Sequence, residues 1–177
     1  MLLTGSPGVG KTTVLAATVE ALAKRGFRVG GMISREVRES GVRIGFEMLD
    51  LRSSKRGWLA QAGQKGGPGV GKYCVNLKDL EAIGAVSIIK AVEDCDVVAV
   101  DEIGPMELFS RKFREAANMA VQSRKLVLAV VHWKVMDRLV VEVKARIDSE
   151  IFVVTYQNRE KLSEVLLSRA IEYLEQL

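Results

Sequence analysis

Hydrophobic positions along the chain change period several times, and each change marks an expected element. From Lys11 to Arg25 the apolar residues Val14, Leu15, Val19 and Leu22 recur at helical spacing. Lys24 and Arg25 lie where a helix dipole favours cations, and Gly26 follows as a C-terminal stop. A first helix is expected there, preceded by a minimal strand in residues 1–4. Val29 to Val37 reads as a strand and Arg38-Glu39-Ser40-Gly41 as a turn; Val42, Ile44, Phe46 and Met48 then alternate strictly, which predicts a β-hairpin. Residues 52–72 are polar and rich in glycine, so loops around a short strand near Trp58 are expected.

The second half alternates strands and helices. It reads as a helix near Leu80 to Glu93, an apolar strand Val97 to Asp101, a helix through Phe109, Phe113, Ala116 and Ala120, and a strand Leu126 to Val131. A helix around Lys134 to Lys144, a strand Ile151 to Thr155 and a last helix carrying Leu162, Val165, Leu166, Ala170 and Leu174 complete the pattern. Continuous apolar strands separated by helices predict an α/β fold whose sheet is largely parallel and covered on both faces. The hairpin region, about 38–77, is expected as an insertion into a single domain spanning 1–177.

Length and composition agree with one core: 177 residues, 48% hydrophobic and 27% charged. No run of about 18 apolar residues occurs, and Gly5, Ser6 and Pro7 interrupt the apolar start. Neither a membrane span nor a cleavable signal is expected, and the chain reads as cytoplasmic. Cys74 and Cys95 stand far apart without a CxxC partner, so neither a zinc site nor a disulfide framework is supported. The formal charge is +4 and the pI about 9.1, yet the basic residues are scattered, which does not support a nucleic-acid stripe.

The chemistry concentrates in two places. Gly5-Ser6-Pro7-Gly8-Val9-Gly10-Lys11-Thr12 satisfies G-x-x-x-x-G-K-[ST] in full, with Thr13 following, a strand before and a helix after. Glycines let the backbone curl around a phosphate with its N–H groups inward, and the helix N-terminus adds positive partial charge. Lys11 would meet the β- and γ-phosphates, and the Thr12 hydroxyl would be one ligand of an octahedral Mg²⁺. A second segment, Gly66-Gly67-Pro68-Gly69-Val70-Gly71-Lys72-Tyr73, copies the glycine and lysine spacing but puts tyrosine where a small hydroxyl is needed, with no apolar strand ahead. It reads as a decoy, a flexible loop that could lie over substrate as a lid.

The other place is Val97-Val98-Ala99-Val100-Asp101-Glu102, an apolar strand ending in two acids. In a parallel sheet ligands collect at the carboxyl ends of strands. Asp101 would accept from Mg²⁺-bound water, and Glu102 would orient or deprotonate an attacking water, a role worth roughly 10²–10⁴ in rate.

The segments GSPGVGKTT, VRIGFEMLDL, VGKYCVNL, VDEIGPMELFS and TYQNREKL together resemble the nucleoside-triphosphatase family first described from thermophiles, which includes the cancer-related NTPase. The resemblance spans nearly the whole chain, and DEIGPMEL after an apolar strand is its most specific part. It implies a three-layer, RecA-like P-loop fold, a monomer or weakly associating chain, and hydrolysis of ATP, GTP, CTP and UTP with little base discrimination. It also implies that Gly5 to Thr12 and the run Val98, Ala99, Val100, Asp101, Glu102, Ile103, Gly104 and Pro105 line the nucleotide site, with Lys11 and Glu102 catalytic. A P-loop kinase and a nucleotide-dependent RNA-binding module remain as competing functions.

Further positions have two readings each. His132, the only histidine, falls where an apolar strand runs out, as a γ-phosphate sensor or a structural residue. Asn158 and Arg159 follow the final strand; Asn158 contacts base or ribose or caps the last helix. Arg38, Arg43, Arg138, Arg146 and Arg159 are open candidates for a cation at the transferring phosphoryl group. Trp58 and Trp133 read as core or rim aromatics, and Glu107 as an orienting residue of the acidic loop or a helix-start acid.

Overall fold

The computed structural model describes residues 1–176. The chain opens with β1 (Leu2–Thr4), the glycine loop and α1 (Lys11–Lys24). Gly10 precedes α1 at φ 106°, a left-handed conformation that side chains rarely adopt, and this lets the loop turn directly into the helix. Two long strands follow, β2 (Val29–Glu39) and β3 (Val42–Asp50), then β4 (Arg56–Ala62), β5 (Gly69–Val70) and β6 (Tyr73–Val75).

A helical stretch then runs as α2 (Leu77–Asp79), a π-helical segment Leu80–Ala85 and α3 (Val86–Asp94). Asn76 starts it by accepting from the Asp79 N–H at 3.0 Å. Within the π segment Gly84 presses on the sulfurs of Met32 and Met48, where an added Cβ would lie 3.0 and 3.3 Å from them. The remaining elements are β7 (Val97–Ile103), a 3₁₀ turn Glu107–Phe109, α4 (Arg111–Gln122), β8 (Leu126–Val131), α5 (Arg138–Ala145), β9 (Ile151–Val153) and α6 (Arg159–Leu174). The helix expected from Lys134 starts instead at Arg138, because Asp137 caps it by accepting from the Leu139 N–H at 2.9 Å.

The nine strands of the described residues share one sheet in the order β5-β6-β4-β3-β2-β7-β8-β1-β9. The expectation of a largely parallel sheet is corrected here: the sheet is mixed. From β2 through β7, β8 and β1 to β9 every pairing is parallel. From β2 through β3, β4 and β6 to β5 every pairing is antiparallel. Strand β2 belongs to both, running beside β7 over Val29–Met32 and beside β3 from Met32 to Glu39. The short strand expected near Trp58 is β4, and the glycine-rich stretch expected as loop adds the two-residue β5, which pairs with β6 and extends the same sheet.

Two apolar clusters fill the faces, as the period of a doubly covered sheet requires. On β7, Val97 and Ala99 join the cluster with Val14, Leu15 and Leu22 of α1 and Leu166 of α6. Val98 and Val100 point the other way, to Ile88 of α3 and Phe113 of α4. The result is α/β, helices above and below a sheet. Among the described residues no helix is long and apolar enough to cross a membrane.

Candidate functional site

Because β1 and β7 run parallel with β8 between them, their carboxyl ends open at the same edge of the sheet. There a cavity of about 590 Å³ gathers Gly5, Pro7, Gly8, Gly10, Lys11, Thr12 and Thr13 from the glycine loop and α1, and Asp101, Glu102, Pro105 and Glu107 from the end of β7. Lys11 Nζ donates to the carbonyls of Gly5 and Ser6, both at 3.1 Å, which holds the ammonium inside the loop.

Asp101 is 1% exposed and tied to three donors. The Thr12 hydroxyl donates to its Oδ1 at 3.1 Å, and the Ser34 N–H and hydroxyl donate to its Oδ2, each at 3.2 Å. Burial pushes its pKa up to about 6 even though these bonds favour the charged form. Glu102 is raised as well, by burial, with the Lys11 ammonium opposing the shift. Its Oε1 is buried without a hydrogen-bond partner among the described residues. Glu107 is 4% exposed; burial, with the nearby Glu102 and Asp101 adding to it, drives its pKa to about 8. An added Cβ at Gly104 would lie 3.2 Å from the Glu102 carboxyl carbon and 3.3 Å from Glu107 Oε2, so the two carboxyls flank that glycine.

The remaining expected residues divide. Ser6 and Gly104 border the site without lining the cavity, while Val9, Val98, Ala99, Val100 and Ile103 are core residues at most 1% exposed. Their place in the sheet, not contact with the cavity, explains their type. Asn158 does not line it either, and its expected capping bond is not made. Its Oδ1 instead accepts from the Thr155 N–H at 2.8 Å, and its Nδ2 donates to the Val153 carbonyl at 2.8 Å.

His132 does line the cavity, with Nδ1 accepting from the N–H groups of Lys134 and Val135 at 3.3 and 3.1 Å. Burial, with Lys11, Lys144 and Lys134 adding to it, lowers its pKa, and the engaged Nδ1 leaves the proton of the neutral ring on Nε2.

Sequence reasoning missed Ser34 and the far wall: Arg35, Glu36, Phe46, Leu59, Val70 and Met106. Of the five arginines left open, Arg43 reaches this cavity, bonded through Nε to the Tyr73 hydroxyl at 2.8 Å and through a terminal nitrogen to Glu36 at 2.6 Å. Arg38, Arg138 and Arg146 are engaged by Glu36, Glu142 and Asp148. Strand alternation alone could have placed Arg43 on a face; its wall required knowing which strands pair.

A family model described as NTPase matches residues 1–167. The chain is 47% identical over 165 residues to the nucleoside-triphosphatase THEP1 of Thermofilum pendens, covering 91% of this chain and 89% of that protein. It is 43% identical over 177 residues to its namesake in Methanopyrus kandleri, covering 99% and 97%. Among solved structures it resembles the crystal structure of THEP1 from the hyperthermophile Aquifex aeolicus, with TM-score 0.85, 28% identity and coverage of 96% and 98%. The solution structure of a human cancer-related nucleoside triphosphatase is similar too, with TM-score 0.80, 35% identity and coverage of 96% and 95%.

Proposed function

This chain belongs to the NTPase family, and on that premise we propose that it hydrolyses nucleoside 5′-triphosphates to the diphosphate and phosphate, with the scissile bond held between Lys11 and Glu102. The observation that carries the reading is the meeting, in one cavity, of an anion-binding loop with a buried carboxylate whose Oε1 has no partner.

In this mechanism the N–H groups of the Gly5–Thr12 loop and the Lys11 ammonium neutralise the β- and γ-phosphates as charge builds on them. Glu102 orients a water in line with the γ-phosphorus and takes its proton as the oxygen–phosphorus bond forms; the electrons of the breaking bond go to the β-phosphate oxygen. Burial makes Glu102 a better base than an exposed carboxylate, while the Lys11 ammonium opposes that shift and favours the ionised form. The neutral His132 ring presents its Nε2–H as a donor suited to the released phosphate.

The donors present also fit Mg²⁺. The Thr12 hydroxyl and Asp101 carboxylate are hard oxygens 3.1 Å apart, and the described residues hold no cluster of three His, Cys, Asp or Glu. A cation that keeps waters and shares the phosphate oxygens needs few protein ligands. When bound, Mg²⁺ supplies charge to the β- and γ-oxygens; Asp101, pushed up to about 6 without it, would then be fully ionised. A phosphotransfer reading is favoured by one observation, that Arg35, Arg43 and Phe46 line the same cavity as the glycine loop and could hold an acceptor there.

The test is phosphate release from ATP, GTP, CTP and UTP with Mg²⁺ and no acceptor, wild type beside Glu102→Gln. Release from all four, reduced roughly 10²–10⁴-fold in the variant with nucleotide binding kept, is expected. Full turnover in Glu102→Gln would remove that carboxylate from the mechanism, and phosphate appearing only on an added acceptor would establish the kinase.

A further inference from the structure

The cavity above accounts for the phosphates, and its acidic end at β7 fixes which way the nucleotide lies. With the γ-phosphate at Glu102, the chain of phosphates leads away from β7. In the sheet order β7-β8-β1-β9, that direction crosses the glycine loop toward the segment after β9.

This segment is locked to the loop at both ends. The Val154 N–H donates to the Thr4 carbonyl at 2.7 Å. A Cβ on Gly5 would stand 2.6 Å from the Val154 carbonyl oxygen, and one on Gly10 would stand 3.4 Å from Arg159 Cδ. Asn158 fixes the turn between them through its bonds to Thr155 and Val153. The side chains that this turn presents are therefore held at a set distance from the phosphate cradle.

Two of them are not used by the fold. Tyr156 is 64% exposed. The Arg159 guanidinium carbon lies 5.3 Å from the centre of its ring, and among the described residues the guanidinium has neither a carboxylate at ion-pair distance nor a hydrogen-bond acceptor. Beside them a second cavity of about 470 Å³ opens between α1 and α6, lined by Gly10, Thr13, Ala17, Arg159 and Ser163 among others. It shares Gly10 and Thr13 with the phosphate cavity, so one bound molecule can run through both.

We propose that Tyr156 and Arg159 form the seat for the base and ribose of the nucleoside triphosphate, a proposal that rests on the hydrolase reading for its orientation. A phenol ring and a planar guanidinium offer faces on which any base can stack, because every base has a π-face. Such a seat recognises that a base is present and reads little of which base it is. Asn158 shapes the seat by fixing the turn through its bonds to Thr155 and Val153.

The test separates the seat from the phosphate site and from catalysis by measuring equilibrium binding with Mg²⁺ by calorimetry. The probes are the β,γ-imido analogues of ATP and GTP and, as a ligand without base or ribose, inorganic tripolyphosphate. Tyr156→Ala and Arg159→Lys, the second of which keeps stem and charge but loses the plane, are expected to weaken both analogues roughly 5–50-fold. Tripolyphosphate should bind all forms within about 2-fold, and Tyr156→Phe should behave as wild type. Unchanged binding of both analogues, or an equal loss for tripolyphosphate, would overturn the proposal. Failure of the hydrolase reading would appear separately, as tight analogue binding without phosphate release from ATP.

Discussion

The two halves of the sheet are built on different rules. In the parallel half, β7 and β8 are buried nearly throughout, and function sits where the strands stop: in the loop after β1 and in the acids closing β7. In the antiparallel half, β3 exposes or half-exposes most of its residues, and charged side chains line up across strands, with Glu47 held by Arg35 and Arg56, and Glu36 by Arg43 and Arg38. Carboxylates show the contrast most directly. Burial raises Glu47 as well, but the bonds from Arg56 and Arg35 outweigh it and hold that group below its ordinary value, whereas Glu107 in the parallel half has no cation to offset burial. Backbone geometry makes the phosphate site; side-chain pairs that are individually weak make the opposite wall.

The largest effect should come from one substitution in the parallel half. Lys11→Ala removes the only ammonium within the glycine loop and is expected to lower phosphate release from ATP by at least roughly 10²–10³-fold, measured as steady-state release with Mg²⁺. Retained turnover would transfer the phosphate role to another cation, Arg43 first.

Next in size is a stability effect. Below pH about 4.5 Glu107 is protonated whether the chain is folded or not; between there and pH about 8 the unfolded chain releases the proton and the folded one keeps it. Its burial therefore lowers stability progressively as pH rises through that window, and above pH about 8 the loss is constant. Glu107→Gln should gain up to about 3 kcal/mol over wild type at pH 7 and little at pH 4.5, read from urea unfolding. A gain independent of pH would mean that packing, not ionisation, sets the difference.

The smallest effect belongs to the antiparallel edge. Lys72→Ala lies in the turn between β5 and β6, exposed over the Tyr73 ring, and should change stability by no more than about 0.5 kcal/mol. Phosphate release should stay near wild type; a collapse like that of Lys11→Ala would show that the second glycine segment binds phosphate after all.

How much of this was legible follows from the same contrast. Apolar runs such as Val97–Val100 announce buried strands, and Gly5 to Thr12 announces a backbone conformation that few other residues permit. Within residues 56–75 the strand near Trp58 was legible, but β5 and the order in which these strands join the sheet were not, because they are short, glycine-rich and half exposed, so that pairing partners decide more than their own pattern does. Ser34 was invisible for a related reason. A lone serine in a strand has no signature, and it meets Asp101, 67 positions later, only because β2 lies beside β7. Asn158 has the residue type of a helix cap and the position of one, yet the turn before it competes for the same oxygen.

The sheet also ends with unusual economy at its rims. Its outermost strands are β5, two residues long, and β9, three. A foreign strand seeking to extend the sheet would find only a few unpaired backbone groups at either border, too little to template growth. Among the nine strands of the described residues, the longer unpaired stretch lies inside those borders, on β2 beyond Met32 where β7 no longer runs beside it.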